Sequence, residues 1–303
     1  MVKNQHYVPR FYLRKFQNEQ DKFWVFHKDS GKAFLSNPQS IANENFFYDL
    51  PELDEALGEQ AVEKYLAEID GIHASFFDQL LKGIDKREIV KIDAAMRDVL
   101  CDFITIQIIR TKEHREGMSQ GIAQFNTKLI ESGWLGQEYA TLLNATHNDE
   151  AIKKKHVEQL FFDTDFKMSL IGILNSHIWL IFKNMTDTPY YTSDHPVVKR
   201  PHIVEPHRSN TGYKSKGIEI AVPLSSTHLL VLVERTHFKH YEEYENEVLI
   251  HSEPQNVIYY NALQVSGAYR AIICREELFD LAREMVSTHP ELSQLDTPRF
   301  GVD

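Results

Sequence analysis

The chain has 303 residues, of which 42% are hydrophobic and 25% charged, and this composition is typical of a folded globular protein. A formal charge of -11 argues against the binding of nucleic acid over a broad basic surface, but it is compatible with a local basic groove. The two cysteines, Cys101 and Cys274, lie in apolar surroundings typical of reduced, buried thiols. Because we find neither a signal peptide nor an apolar run long enough to span a bilayer, we expect a cytoplasmic protein without a membrane partner.

The opening stretch is the most unusual part of the sequence. Residues 6–16 read HYVPRFYLRKF and combine four aromatic rings with two arginines, a histidine and a proline. This stretch is too apolar for a flexible tail and too cationic for a simple core strand, so we expect a buried segment whose charges meet partners from elsewhere. Further on, aromatic-rich runs at 23–27 and 32–35 flank a turn-forming cluster that ends in Gly31, which predicts a β-hairpin.

The middle of the chain carries the pattern of a large helical region. Apolar residues separated by three to five positions predict a helical insertion over residues 52–175. Gly71 marks an expected break in its first helix, and the second helix is apolar on nearly every side. We expect helices over 52–83, 88–115, 119–132, 137–144 and, beginning at an Asn148 cap, 148–174.

From residue 178 onward the pattern favours β-structure. We expect strands at 178–182, 190–192, 218–223, 228–233 and 269–274, helices at 254–267 and 276–286, and a surface loop at 199–216 that includes Arg208. Neither a repeat nor a linker divides the chain, so we predict a single α+β domain over residues 1–303. Its mostly antiparallel sheet would combine the N-terminal hairpin with the C-terminal strands and pack against the helical insertion 52–175.

Three stretches together resemble a large, mainly bacterial family of unknown function. They are the H-Y-V-P-x-F-Y-L pattern at 6–13, the Gln107 to Thr111 run, and the T-S-D-x-P-V pattern at 192–197. The run 222–225 is similar to a recurrent P-L-S-P step of that family, although Ser226 stands where a proline is usual. His195 stands where we expect asparagine more often. The resemblance covers most of the chain and implies no particular activity.

His6 and Arg10 are the first candidate catalytic residues. If a helix begins at Pro9, Asn4 or His6 lies just before its first turn, where backbone N–H groups bind anions. Asn4 is therefore a candidate substrate-binding residue. The alternative is that His6 and Arg10 only tie the start of the chain to the core.

Arg110 is the second candidate, because it lies on one face of an otherwise apolar helix together with Gln107 and His114. A guanidinium withdrawn from water is costly unless it is paired, so an acidic side chain or a bound anion must reach Arg110. If the partner is an acidic side chain, Arg110 forms a structural salt bridge to Glu63 or Asp70. If the partner is a bound anion, Arg110 and Gln107 both belong to a substrate site.

The Ser193-Asp194-His195-Pro196 corner supplies the remaining candidates. It follows an expected strand and precedes a loop, where proteins often present functional side chains. Asp194 is a candidate general base or metal ligand, and Ser193 and His195 are candidate substrate-binding residues. The alternative is that Asp194 is a turn residue whose carboxylate accepts backbone N–H bonds.

A metal site is one further reading of the acidic residues. Glu59, Glu63 and Asp70 are spaced to share one helix face. Glu63 and Asp70 are the candidate ligands, with Mg²⁺ or Mn²⁺ as candidate ions, because such a cation beside Arg110 would suit phosphodiester cleavage. The alternative is that these acids form the solvated side of a helix. The sequence has no Walker loop, no G-x-G-x-x-G, no G-x-S-x-G and no H-E-x-x-H.

Two functions follow as hypotheses. The first is a nuclease-like phosphodiesterase that binds a nucleic acid or nucleotide at a local site where His6, Arg10, Arg110 and Asp194 converge. The second is a non-catalytic binding or partner-interaction module, as in a bacterial defence or toxin-like system, in which the same charges only hold the sheet to the helices. The oligomeric state is left open.

Overall fold

A computed structural model describes residues 3–134, 136–145, 147–205 and 210–295 of the chain. Its strands are β1 (Asn4–His6), β2 (Phe23–His27), β3 (Lys32–Ser36), β4 (Asn43–Asn45), β5 (Ile178–Asn184), β6 (Thr192–Ser193), β7 (Val198–Pro201), β8 (Ile218–Pro223), β9 (His228–Val233), β10 (Val248–His251) and β11 (Ala271–Cys274). Its α-helices are α1 (Arg10–Leu13), α2 (Pro51–Leu57), α3 (Ala61–Asp85), α4 (Ala94–Arg110), α5 (Lys112–Glu131), α6 (Ala140–Ala145), α7 (Asp149–Phe161), α8 (Thr164–Asn175), α9 (Pro254–Gly267) and α10 (Asp280–Thr288).

The predicted α+β class is confirmed, and the strands of the described residues divide among three sheets. One sheet has the order β3-β2-β11-β6, so the N-terminal hairpin does pair with a C-terminal strand, as expected. A larger sheet has the order β10-β5-β9-β8-β7, and β1 pairs with β4 alone. The described strand pairs are antiparallel except for β10 with β5.

Several element bounds follow directly from local signals. The hairpin turn ends at Gly31, whose φ of 65° favours glycine, and its N–H donates to the His27 carbonyl at 2.8 Å. Asp93 begins α4 by accepting the backbone N–H of Met96 at 2.8 Å, and Asn148 caps α7 in the same way. The predicted bounds of β8, β9 and α9 are confirmed.

The predictions of the long helices were wrong about where each helix is interrupted or ends. The first helix is interrupted at residues 58–60 and not at Gly71, because Gly58 and Gln60 both take positive φ values. The second helix ends at Arg110, since Thr111 is extended and its side chain caps α5 instead. The predicted helix over 148–174 is two helices, with Asp163 capping the second. Apolar periodicity continues across all three breaks, so it did not reveal them.

The C-terminal half contains strands that the sequence did not indicate. β10 was not predicted, and β7 occupies the start of the expected 199–216 loop. Arg208 lies outside the described residues. The expected strands at 178–182 and 190–192 correspond to β5 and β6, which belong to different sheets. None of the helices in the described ranges combines the length and the hydrophobicity needed to cross a membrane.

The opening stretch joins these parts. Phe11, Tyr12 and Leu13 are buried in the largest hydrophobic cluster, together with residues of α3, α4 and both larger sheets. The Tyr12 hydroxyl donates to the Pro223 carbonyl and lies close to the Thr192 hydroxyl, both at 2.7 Å. The expected burial of this stretch is therefore confirmed for its apolar residues, whereas Arg10 and Arg14 are exposed.

Tyr12→Phe tests this junction. It leaves the buried Pro223 carbonyl and Thr192 hydroxyl without their partner, so we expect the free energy of unfolding to fall by about 1–3 kcal/mol in urea titrations. Tyr139, which is 46% exposed, provides the control Tyr139→Phe, for which we expect no more than about 0.5 kcal/mol. Equal effects of the two substitutions would contradict the role of the Tyr12 hydroxyl.

Candidate functional site

A cleft of about 250 Å³ lies where the opening stretch meets α3 and the end of α4. We call it the α1–α3 cleft. The ionisable residues that line it are His6, Arg10, Arg14, Glu63, Asp70 and Arg110. Five of these were singled out from the sequence, and the structure brings those five together. Arg14 was missed, although it follows Arg10 by four residues, the spacing that places two side chains on one helical face.

Arg110 is the buried element of the cleft, with 2% of its surface exposed. Its Nη1 donates to Asp70 Oδ1 at 2.7 Å, and its Nη2 donates to the His6 carbonyl at 2.9 Å and to Asp70 Oδ2 at 3.4 Å. Burial alone would lower the pKa of Arg110, but the Asp70 carboxylate holds that pKa above its ordinary value. This is the salt bridge given above as one alternative for Arg110. Its buried Nε–H makes no hydrogen bond among the described residues.

His6 and Glu63 are both shifted toward their neutral forms. Burial, reinforced by the positive charge of Arg10, lowers the pKa of His6 to about 4. The His6 Nε2 lies 3.0 Å from the Pro38 carbonyl and 3.4 Å from Asn43 Nδ2. Donation to the carbonyl, the shorter contact, requires the proton on Nε2, and in that tautomer of the neutral ring Nδ1 is the proton acceptor. Burial also raises the pKa of Glu63, with Arg110 opposing that shift and Asp70 adding to it. The cleft therefore holds a candidate base and a candidate acid.

Arg10 and Arg14 differ from Arg110 because both are exposed. Within the part of the chain that the structure describes, neither forms a salt bridge. Three arginines and two carboxylates thus line the cleft, in a chain whose formal charge is -11. Exposed guanidinium groups suit the recognition of phosphate or carboxylate oxygens.

Asp194 does not line this cleft. Its Oδ1 accepts the backbone N–H of Tyr269, and its Oδ2 accepts those of Arg270 and Ala271, each at 2.8 Å. Burial raises the pKa of Asp194 to about 6, and the hydrogen bond from Ala271 acts in the opposite direction. The expected convergence of Asp194 with Arg10 and Arg110 is therefore not observed, because its carboxylate holds the turn that leads into β11.

The four candidate substrate-binding residues are also placed apart from the cleft. Asn4 is exposed on β1, opposite Asn45. Gln107 is buried and donates to the Tyr7 carbonyl at 3.2 Å. Ser193 Oγ lies 2.8 Å from Gln264 Oε1, and His195 Nδ1 lies 2.9 Å from Thr111 Oγ1. Of these four, His195 lines a different cavity of about 370 Å³.

Of the three acids considered for a metal site, only Glu63 and Asp70 lie together in the structure. Glu63 and Asp70 share the cleft, but both Asp70 oxygens are hydrogen-bonded to Arg110. Glu59 is exposed and precedes α3, so it does not share a helix face with them. Across residues 3–134, 136–145, 147–205 and 210–295, no group of three or more His, Cys, Asp or Glu side chains is arranged to hold a metal ion. Binding of Mg²⁺ or Mn²⁺ stays a prediction.

Fold and site together define an α+β protein with an arginine-lined cleft at the junction of its N-terminal segment and helical region. Residues 4–277 match the family described as "Protein of unknown function (DUF4238)". The chain belongs to this family, which agrees with the resemblance to a family of unknown function. The match includes the opening stretch, all of the cleft residues and both larger sheets. No curated protein and no solved structure matches the chain.

Asp194→Ala tests the structural role of that carboxylate. Three backbone N–H groups lose their acceptor, and that of Ala271 is buried, so we expect the free energy of unfolding in urea to fall by about 2–4 kcal/mol. The control is Asp187→Ala, because Asp187 is exposed, and its expected effect is within about 0.5 kcal/mol. An Asp194→Ala protein as stable as the parent would show that these bonds contribute little.

Asp70→Ala tests the pairing of Arg110. The substitution leaves a buried guanidinium without its carboxylate, and because Asp70 is itself partly exposed, we expect a loss of about 2–3 kcal/mol in thermal or urea unfolding. Glu68→Ala on the same helix removes an exposed acid and serves as the control. If both variants unfold at the same denaturant concentration, the ion pair does not stabilise the fold.

Proposed function

We propose that the α1–α3 cleft binds a phosphate-bearing substrate and that the protein is a nuclease-like phosphodiesterase. One observation carries the proposal: His6, Arg10 and Arg110 line the same cleft as the acids Glu63 and Asp70. These residues come from the opening stretch, α3 and α4, which are far apart in the sequence. A catalytic phosphodiester site needs such a combination of cations for the phosphoryl oxygens and groups that transfer protons.

The arginines have distinct roles in this proposal. Arg10 and Arg14 are exposed and bind the phosphoryl oxygens directly, since a guanidinium matches that geometry with two parallel hydrogen bonds. Arg110 is occupied by Asp70 and by the His6 carbonyl. It therefore acts as a positioning residue that holds β1 and α3 at a fixed separation and adds positive potential to the cleft.

His6 and Glu63 supply the proton transfers. His6 Nδ1 takes the proton from the attacking hydroxyl, either water or the 2′-hydroxyl of RNA, as that oxygen forms its bond to phosphorus. Glu63, which burial keeps protonated to a higher pH than usual, gives its proton to the leaving oxygen as the second P–O bond breaks. The arginines stabilise the charge on the remaining phosphoryl oxygens during this exchange.

One observation favours the second candidate, a non-catalytic binding module. Both oxygens of Asp70 and two nitrogens of Arg110 already bond within the protein, so the most buried charges of the cleft satisfy one another. In that case Arg10 and Arg14 still bind an anion but no bond is cleaved. The two candidates differ in turnover and not in binding.

The decisive experiment measures binding and cleavage separately. Fluorescently labelled RNA and DNA oligonucleotides are incubated with the protein in Mg²⁺, Mn²⁺ or EDTA, and anisotropy gives the affinity. We expect Arg10→Ala to weaken binding about tenfold, and His6→Ala to lower the cleavage rate by about 10²–10⁴-fold with little change in affinity.

Arg87→Ala is the matched control, because Arg87 is exposed and lies after the end of α3, outside the cleft lining. Binding without cleavage in every metal condition supports the non-catalytic module and contradicts the enzyme. Loss of binding in Arg87→Ala equal to that in Arg10→Ala would show that only general surface charge is sensed.

The pH dependence of cleavage provides a further test. The proposed base is active when His6 is neutral, above its pKa of about 4, and the proposed acid is active while Glu63 stays protonated, below its raised pKa. We therefore expect a bell-shaped profile of kcat/KM with its maximum on the acid side of neutrality. Glu63→Gln should remove the limb at higher pH. A rate that rises steadily toward alkaline pH would rule out this assignment.

A further inference from the structure

Another cavity, of about 440 Å³, lies between the five-stranded sheet, α9 and the short 3-10 helix Lys239–Tyr244. It shares no lining residue with the α1–α3 cleft. Its size is within the range of small-molecule sites. Its walls are largely aromatic and include Phe182, Phe238, Tyr241, Tyr244, Tyr259 and Tyr260.

A buried carboxylate lies in this aromatic cavity. Glu219, on β8, is 5% exposed and has no role in the proposed phosphodiesterase. Its Oε2 accepts hydrogen bonds from Tyr259 at 2.6 Å and from His202 Nε2 at 2.7 Å, and its Oε1 accepts one from Tyr260 at 2.9 Å. These donors fix the orientation of the carboxylate. Both phenols keep their protons and act as donors, because burial and the nearby carboxylate raise the pKa of both tyrosines.

We propose that this cavity binds an organic cation, with its ammonium head against Glu219 and the tyrosine rings and its apolar body over the sheet. The electron-rich faces of aromatic rings attract cations, most strongly where water is excluded. None of the described residues that line the cavity is a lysine or an arginine. Of its two histidines, His202 donates to Glu219, and burial lowers the pKa of His251 to about 4. The charge of the cavity thus complements a cation and repels an anion.

Two further observations fit a ligand of this class. Tyr241 and Tyr244 are 36% and 39% exposed, so rings of the lining remain accessible from solvent. At the edge of the cavity, the Arg200 guanidinium lies 5.1 Å from the centre of the Tyr259 ring, so one of these rings already contacts a cation. An uncharged apolar ligand would fill the same volume but would gain no attraction from the Glu219 carboxylate or from the electron-rich ring faces.

The test compares two probes that differ only in charge. Choline carries a quaternary ammonium group, and 3,3-dimethyl-1-butanol replaces its nitrogen by carbon. With the full chain in isothermal titration calorimetry, we expect choline to bind at least tenfold more tightly than the alcohol, a difference of about 1.4 kcal/mol. Equal affinity for the two probes, or no heat from choline up to its solubility limit, would overturn the proposal.

Variants assign the binding to this cavity. Glu219→Gln keeps the shape and removes the charge, so it should lower choline affinity about tenfold, whereas Glu284→Gln, an exposed acid on α10, should leave it unchanged. Since Glu219 is buried, Tyr244 provides a second test that does not disturb the core. Tyr244→Leu should weaken choline binding while Tyr244→Phe retains it. Arg10→Ala should have no effect, and if it weakens choline as much as Glu219→Gln does, the site is not this cavity.

Discussion

The fold depends on the pairing of one buried charge, the guanidinium of Arg110. Arg110 ends α4, whose residues from Leu100 to Arg110 are almost all buried, and only 2% of Arg110 is exposed, so its charge must be paired inside the protein. The partners come from two other elements, since Asp70 lies on α3 and the accepting carbonyl belongs to His6. One buried cation therefore fixes the relative positions of β1, α3 and α4, and the α1–α3 cleft is the space they leave between them.

The opening stretch completes this arrangement from the other side. Its rings are buried among the helices, and the Tyr12 hydroxyl reaches both larger sheets through Pro223 and Thr192. Arg10 and Arg14 are carried on the same short segment and remain exposed because the neighbouring positions supply the burial. The mixture of cationic and aromatic residues thus has a simple physical reason. The apolar side chains anchor the segment, and this anchoring holds two guanidinium groups at the edge of the cleft.

The sequence was informative where the chemistry is local and misleading where partners are distant. Strong β-propensity gave β8 and β9, and a cost argument about a buried charge correctly required an acid near Arg110 and named Asp70 among the candidates. Asp194 shows the limit of such reasoning. A strand-end carboxylate suits catalysis and turn formation equally, and only the positions of the three amide groups at 269–271 distinguish the two. The aromatic cavity was not foreseen because its residues come from several short segments spread over residues 180–260, and none is unusual in its own segment.

The two proposed sites have opposite charge and are connected by a single strand. β8 carries Glu219 near its first residue and ends at Pro223, whose carbonyl holds Tyr12 and with it the helix of Arg10. Glu219 and Pro223 are four positions apart, which corresponds to about 13 Å along an extended strand. An element transmits binding energy between sites only if it has two stable arrangements. β8 is hydrogen-bonded along both edges, to β7 and β9, and every one of its residues is buried, so a shift of this strand would disrupt both neighbours and the core. The cleft and the cavity are therefore expected to fill independently, each through its own local charge.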